Sequence, residues 1–229
     1  MRKPVKKTDM VGISGIVTAV VLALFLISAA VVLILNFRWL YYLDINLLNI
    51  EQDTGMSADL IRANYDAIIS YNQVWFRGSL ILPSLSMSET GVIHFAEVKA
   101  IFDGLQIMAA ITGILSLLLG IWQSRHHGRI WMRITGIICL ALPVLLGAFA
   151  AISWETMFEG FHRIFFRNDY WLFDPATDPV IRILPDTFFL QCACLILLVV
   201  LIGGVICLFL SRQPQKKQEQ DKSVIPVRL

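Results

Sequence analysis

The sequence predicts an all-α membrane protein: four transmembrane helices, both termini cytoplasmic, and a small, mainly helical extracellular cap. Three observations predict this fold class. Of the 229 residues, 57% are hydrophobic and only 16% are charged, whereas a soluble domain carries about a quarter charged residues. The apolar residues are gathered into four long blocks, and lysine and arginine are concentrated in alternate loops between them. This composition excludes an ordinary soluble enzyme, a nucleic-acid-binding protein and a disordered chain.

Four segments are long and apolar enough to span a bilayer, because about 20 helical residues cross about 30 Å of hydrocarbon. The predicted spans are residues 11–35, 104–122, 134–153 and 188–210. Basic residues precede the first span, as they do in a signal peptide. Its apolar run is longer than a signal-peptide core, however, so we predict a retained membrane anchor.

The orientation follows from the distribution of basic residues. Residues 1–10, 123–133 and 211–229 together hold twelve basic and three acidic residues. Residues 36–103 and 154–187, here named the first and second long segments, together hold seven basic and 14 acidic residues. The positive-inside rule therefore predicts cytoplasmic tails, a cytoplasmic turn at 123–133 and two extracellular long segments in a multi-pass protein of the cell membrane.

The long segments contain helical and aromatic patterns. Ser57 is a predicted N-cap, and Ile61, Tyr65 and Ile68 follow it on one helix face. Residues 86–89 fit a capping box, which predicts a helix that begins near Ser86 and continues into the second span. The second long segment is rich in Phe, Trp and Tyr. Such residues form an interfacial belt, or else they wall a cavity for acyl chains.

Two histidines occur at matching positions in the long segments. Gly128, in the short turn, is 34 residues from both His94 and His162. If both helices continue beyond the membrane, each histidine lies about 51 Å from the turn, near the outer headgroup layer, and the two rings can face each other. Glu97 and Glu159 are each three residues from one histidine, so we expect each carboxylate to orient an imidazole.

Two other interpretations of these residues stay open. The histidines can be ordinary interfacial polar residues whose equal depth is a coincidence. Two His and two Glu at this spacing also occur in metal sites of helical bundles, although such sites normally point into a bundle core.

Several catalytic patterns are missing from the sequence. It has no nucleophile elbow, phosphate loop, dinucleotide fingerprint or Cys-x-x-Cys pair in the long segments. The four cysteines, Cys139, Cys192, Cys194 and Cys207, all lie in predicted spans, where packing is their expected role. No charged residue lies deep in a span, so ion transport is disfavoured. We expect no metal, cofactor, nucleotide or nucleic acid.

Several strings together resemble a known family. They are Asn64-Tyr65 with Tyr71, Ser88-Glu89-x-Gly91-x-x-His94-x-x-Glu97-Val98-Lys99, Phe161-His162-x-x-Phe165-Phe166, the run from Asn168 to Pro175, Asp178, and Pro185-x-x-Phe188-Phe189. On these residues the chain resembles the lipoprotein intramolecular transacylase (Lit) family. The run from 168 to 175 is the most specific of these strings. The family pattern often has Asp at position 97, where this chain has Glu.

The resemblance implies an acyltransferase that acts on membrane lipoproteins whose N-terminal cysteine carries a diacylglyceryl group. Its members move the sn-2 acyl chain to the cysteine α-amine, which yields the lyso form. The implied catalytic residues are His94 and His162. Candidate supporting or substrate-binding residues are Tyr71, Glu97, Asn168 and Trp171, and Tyr71, Asn168 or a backbone N–H are candidate oxyanion donors.

Two questions are left open at this stage. The base and the acid are not assigned, although the helix predicted around His94 favours that residue as the base. A non-catalytic accessory protein for lipoprotein handling is the alternative function, since an aromatic cap on four spans suits either role.

Overall fold

The computed structural model describes residues 12–212. The predicted tail at residues 1–10, and residues 213–229 of the predicted tail at 211–229, lie outside the described residues. Between 12 and 212 the chain forms eight α-helices and one 3-10 turn, Pro179–Arg182, without any strand. The helices are α1 Ile13–Leu35, α2 Arg38–Leu47, α3 Ile50–Thr54, α4 Ala58–Tyr71, α5 Glu89–His126, α6 Ile130–Ile152, α7 Trp154–Phe165 and α8 Asp186–Arg212.

Four of the helices are long and apolar enough to cross a membrane, namely α1, α5, α6 and α8. This confirms the predicted all-helical architecture with four span-capable helices. The four helices pack on one another in a bundle, with α1 against α5, α6 and α8, and α6 against α8. Many large apolar side chains point outward from them, among them Ile111, Leu118, Leu145 and Phe209. An apolar outer surface of this kind is what a lipid environment favours.

Small residues let the bundle helices approach closely. A Cβ atom added to Gly136 on α6 would lie 2.9 Å from the carbonyl oxygen of Gly204 on α8. Beside this contact, the hydroxyl of Thr135 donates a hydrogen bond of 3.1 Å to the carbonyl of Ala19 on α1. Small residues and interhelical hydrogen bonds are typical of helix packing in membranes, where burial of apolar side chains gives little drive to associate.

Helix α5 carries His94 and continues without a break through the second predicted span. Its 38 residues extend over about 57 Å, which is more than the hydrocarbon thickness. The predicted start near Ser86 is wrong by two residues, because Ser88 is the N-cap and its hydroxyl accepts a hydrogen bond from the Gly91 amide at 3.0 Å. Ser88 has the extended backbone of a cap (φ −72°, ψ 166°), whereas the Ser86 hydroxyl donates a hydrogen bond to the Thr177 carbonyl at 3.4 Å.

The helix of the third span does not continue to His162. Helix α6 passes through Pro143 and ends at Ile152. Ser153 then adopts extended backbone (φ −157°, ψ 100°), and its side chain caps α7 by accepting a hydrogen bond from the Thr156 amide at 3.2 Å. The assumption of one continuous helix is therefore wrong on this side. The break at Ser153 redirects the chain before His162 is reached.

A second core lies at the histidine end of the bundle. It is formed by α2, α3, α4, the 3-10 turn and the first turn of α8. Tyr41 and Tyr65 stack at 3.8 Å, and the Tyr41 hydroxyl donates a hydrogen bond of 2.5 Å to the Ile183 carbonyl. Ile61 and Tyr65 of α4 are buried there, which confirms the apolar face predicted for this helix, and Ser57 caps it as predicted.

Asp178 fastens the second long segment to the start of α5. Its Oδ1 atom accepts a hydrogen bond from the Ser88 amide at 2.7 Å, and its Oδ2 atom accepts one from the Thr177 hydroxyl at 2.8 Å. Burial by itself would raise the pKa of Asp178, but the hydrogen bonds from Ser88 and Thr177 lower that pKa below its usual value. The carboxylate is therefore charged at neutral pH and holds the two segments together beside His94.

Candidate active site

His94 and His162 lie beside each other at one end of the bundle. Their ring centroids are 6.1 Å apart and the ring planes are inclined by 33°. His94 stands on the second turn of α5 and is 6% exposed, while His162 is on α7 and is partly exposed. The structure thus brings together two imidazoles that are 68 residues apart in the chain.

Five aromatic side chains of the second long segment surround the two imidazoles, and we call them the aromatic cage. Its members are Phe158, Phe161, Phe166, Trp171 and Phe173. Phe166 lies against both rings, with centroid distances of 4.8 Å to His94 and 5.5 Å to His162. Trp171 stacks on His162 at 4.7 Å with 28° between the planes. These aromatics line the histidine pair, which goes beyond the membrane anchoring expected of an interfacial belt.

A backbone carbonyl determines the tautomer of His162. Its Nδ1 atom is 2.7 Å from the carbonyl oxygen of Phe158, one helical turn earlier. A carbonyl oxygen only accepts, so Nδ1 carries the hydrogen and donates. In the neutral ring the lone pair is then on Nε2. Burial lowers the pKa of His162 below its usual 6.5, even though the Phe158 hydrogen bond and Asp186 act in the opposite direction.

The two glutamates do not orient the imidazoles as predicted. Glu159 forms an ion pair with Arg163, with 2.6 Å between its Oε1 atom and Nη2. Glu97 accepts a hydrogen bond on Oε1 from the Asn168 side-chain amide at 2.8 Å. The three-residue spacing places each glutamate on the same helix face as its histidine. Each glutamate nevertheless binds another donor, and the Phe158 carbonyl orients His162.

Three polar side-chain atoms at this site are buried and have no hydrogen-bond partner among the described residues. They are Nδ1 of His94, Oε2 of Glu97 and Nε1 of Trp171. Buried polar atoms are almost always paired in folded proteins. A donor and an imidazole nitrogen in the histidine pair and its cage, with an unpaired carboxylate oxygen on the same helix as His94, therefore indicate a binding site for a polar group.

The remaining predicted residues are placed differently. Asn168 and Trp171 lie at the site through their contacts with Glu97 and His162. Tyr71 instead packs on Phe76 at 5.6 Å, with the Lys99 ammonium 5.4 Å from its ring centroid. Burial raises the pKa of Tyr71. Its contacts tie the first long segment to α5, so Tyr71 is not assembled with the imidazoles.

The metal interpretation requires the two histidines and the two glutamates to meet as one ligand set. Within residues 12–212 there is no group of three or more His, Cys, Asp or Glu side chains arranged to hold a metal ion. Of the two glutamates considered as ligands, Glu159 is paired with Arg163 on a half-exposed surface.

Sequence reasoning did not find the Phe158 carbonyl or the contacts of Phe166 and Phe173. The spacing of four residues between Phe158 and His162 was visible in the sequence. It places the carbonyl within reach of the ring, so helix geometry alone could have found this contact.

The fold and the site together define a helical membrane protein with a two-histidine centre enclosed by aromatic rings. The sequence model of the family described as lipoprotein intramolecular transacylase Lit matches residues 16–189. The solved structure of the membrane-integral lipoprotein intramolecular transacylase Lit from Bacillus cereus is similar, with a TM-score of 0.85 and 36% sequence identity over 87% of this chain and 93% of that chain. A comparison with curated proteins finds no match.

Two structures of variants of the Bacillus cereus enzyme, each with one histidine replaced, also match. Both have a TM-score of 0.78 and 35% sequence identity. The matches cover 87% of this chain and 89% and 90% of the two variant chains. The chain belongs to the Lit family, as its sequence strings indicated, and it is a membrane-integral acyltransferase of the lipoprotein intramolecular transacylase type.

Proposed function

We propose that this enzyme moves the sn-2 acyl chain of an S-diacylglyceryl-cysteine lipoprotein to the α-amine of the same cysteine, with His94 and His162 as its acid–base groups. The product is the lyso form, an N-acyl, S-monoacylglyceryl lipoprotein. The observation that carries the proposal is the pair of imidazoles, 6.1 Å apart, inside an aromatic cage at the end of a membrane bundle.

The substrate supplies both reacting groups. A bond forms between the amine nitrogen and the acyl carbon, and the ester bond to the glyceryl oxygen breaks. One proton leaves the nitrogen and one reaches the oxygen, so the reaction is an isomerisation. Conversion of an ester into an amide is downhill, and it needs neither a nucleotide nor a nucleophile from the protein.

The tautomer of His162 supports the proposed role of base for this residue. Its Nδ1–H is committed to the Phe158 carbonyl, so Nε2 is free to accept the proton that the attacking amine loses. Its lowered pKa keeps the ring neutral and ready to accept at neutral pH. This assignment replaces the preference for His94 that the helix pattern suggested. Burial, together with the nearby His162, lowers the pKa of His94 to about 4, so this ring is neutral as well. His94 therefore acts as a relay: one ring nitrogen takes the proton of the His162 imidazolium while the other gives its hydrogen to the leaving glyceryl oxygen.

The aromatic cage has two tasks in this reaction. It holds the amine and the ester carbonyl in attack geometry, where effective molarity contributes about 7–11 kcal/mol to the barrier reduction. It also excludes water, which would otherwise hydrolyse the ester. Phe166 contacts both imidazoles and is 4% exposed, so it keeps the space between them dry.

The histidine end of the bundle faces the outside of the cell in this proposal. The distribution of basic residues supports it, since Arg125 lies in the last turn of α5 and Arg129 directly precedes α6, whereas the two long segments are acidic. Both termini are then cytoplasmic, the long segments form the extracellular cap, and the site lies where membrane lipid meets that cap. A lipoprotein anchored in the outer leaflet reaches the imidazoles without leaving the membrane.

The test is turnover of a synthetic diacylated lipopeptide by purified enzyme with no partner or nucleotide. Substrate and product have equal mass, so the product is identified by fragment ions that carry the acyl chain on the α-amine. We expect His94→Ala and His162→Ala each to lower kcat by about 10²–10⁴-fold. His127→Ala is the matched control, because that histidine is the C-cap of α5 at the other end of the bundle, with its ring centroid 5.2 Å from that of Trp122.

Retained folding of the variants is checked by their melting temperature in detergent. Undiminished N-acylation by either site variant would refute the acid–base roles. A wild-type enzyme that needs a second protein for turnover would instead favour the accessory function.

A further inference from the structure

Trp171 places an unused hydrogen-bond donor beside the proposed base. Its ring stacks on His162 with a centroid distance of 4.7 Å, and its Nε1 atom is buried without a partner among the described residues. An indole nitrogen donates and cannot accept. Leaving a buried donor unpaired is unfavourable, so a donor kept in this state at a reaction site indicates a group that arrives with the substrate.

We propose that the Trp171 indole N–H is the oxyanion donor of the transfer. The inference rests on the proposed function. When the amine attacks, the ester carbonyl oxygen becomes an anion, and a donor must lie about 2.7–3.1 Å from the position it then occupies. For His162 to accept its proton, the attacking amine has to come within hydrogen-bond distance of Nε2 of that ring. The acyl carbon is bonded to that amine in the intermediate, so its oxygen develops charge next to the side chain stacked on His162.

Other donors are less well placed. The Asn168 side-chain amide donates to Glu97 at 2.8 Å. Tyr71 packs with Phe76 and Lys99, away from the imidazoles. Trp154 also has a buried, unpaired Nε1, but its ring lies against Phe158 at 5.7 Å and is thus separated from His162 by one aromatic side chain.

Glu97 and Asn168 act as positioning residues for Trp171. Glu97 on α5 holds the Asn168 amide, and the Asn168 side-chain oxygen accepts a hydrogen bond of 3.1 Å from the Tyr170 amide. The turn that follows is closed by the Leu172 amide, which donates to the Asp169 carbonyl at 3.1 Å. These hydrogen bonds fix the backbone on both sides of Trp171, and its ring stacks on His162, so the donor is positioned before the charge develops.

The experiment compares variants that differ in the N–H group. Trp171→Phe removes the donor and keeps an aromatic ring on His162, and incorporation of 3-benzothienylalanine at position 171 keeps the full shape with sulfur in place of N–H. With the diacylated lipopeptide as probe, we expect both changes to lower kcat by about 10²–10³-fold while KM is almost unchanged. Trp154→Phe is the matched control and retains the wild-type kcat.

The outcomes separate the two proposals. If the wild-type enzyme turns over and the benzothienylalanine variant has the same kcat, the donor role is overturned, because only the shape of the Trp171 side chain then matters. An equal loss in Trp154→Phe overturns it as well. Failure of the wild-type enzyme to form the N-acyl product would refute the proposed function itself. Melting temperatures equal to that of the wild type show that the variants fold.

Discussion

The contact between Gly91 and Asp178 predicts a large effect from one methyl group. A Cβ atom added to Gly91 would lie 2.3 Å from Oδ1 of Asp178, 3.1 Å from its Cγ and 3.3 Å from the ring of Phe173. The carboxylate is not free to swing away, because its two oxygens accept hydrogen bonds from the Ser88 amide and the Thr177 hydroxyl. Gly91→Ala therefore displaces Asp178 and breaks at least the bond to Ser88.

The magnitude follows from that bond. A hydrogen bond to a charged group contributes about 1.5–3 kcal/mol, and alanine regains at most about 1 kcal/mol over glycine in a helix. The net loss is about 0.5–2 kcal/mol, which lowers the melting temperature by about 1–8 °C in a chain of this size. The second long segment shifts with Asp178, so lipopeptide turnover falls as well.

A double-mutant cycle tests this reasoning. In an Asp178→Ala background the clash is gone, so the added methyl group of Gly91→Ala costs little, and the two changes are strongly non-additive. Gly104→Ala is the control on the same helix, because its Cβ meets nothing within 4 Å. Melting temperatures that show additive losses, or a Gly91→Ala variant as stable as the wild type, would refute the contact.

Two further predictions concern the acid–base group and the bundle. Both His162 and the substrate amine must be neutral for the amine to attack. Log kcat/KM therefore rises with pH at slope two below the pKa of His162, which burial places under 6.5, and at slope one between that pKa and the amine pKa of about 8. A pH profile with no inflection below 6.5 contradicts the assigned base. Gly136→Ala lowers the melting temperature because its Cβ would lie 2.6 Å from Leu208, whereas Gly147→Ala, at 3.7 Å from Leu197, is tolerated. Equal melting temperatures for these two variants would contradict the close packing of α6 on α8.

Local features of the sequence were sufficient for the architecture. The four span-capable helices follow from apolar length, because bilayer thickness sets the number of residues that each helix needs. Ser57 and the apolar face of α4 followed from capping and periodicity, which involve only near neighbours. The strings around His94 and His162 indicated the family before any geometry was known.

Only the tertiary structure shows which partner each polar side chain of the site binds. Glu97 and Glu159 have the same spacing from their histidines, yet one binds Asn168, 71 residues away, and the other binds Arg163. Helical spacing defines which groups share a face, and it does not select among several donors within reach of that face. Only the folded chain decides that competition.

Composition and the length of the apolar segments thus determined that this is a membrane protein with four span-capable helices, and its sequence motifs determined the family. The tertiary structure decided that Asp178 binds Ser88 and that Trp171 covers His162. The first contact joins the second long segment to the start of α5, and the second joins Trp171 to a histidine nine residues earlier in its own segment. The physical reason for the division is that apolar length and capping act within a few residues, whereas these pairings depend on how whole segments pack.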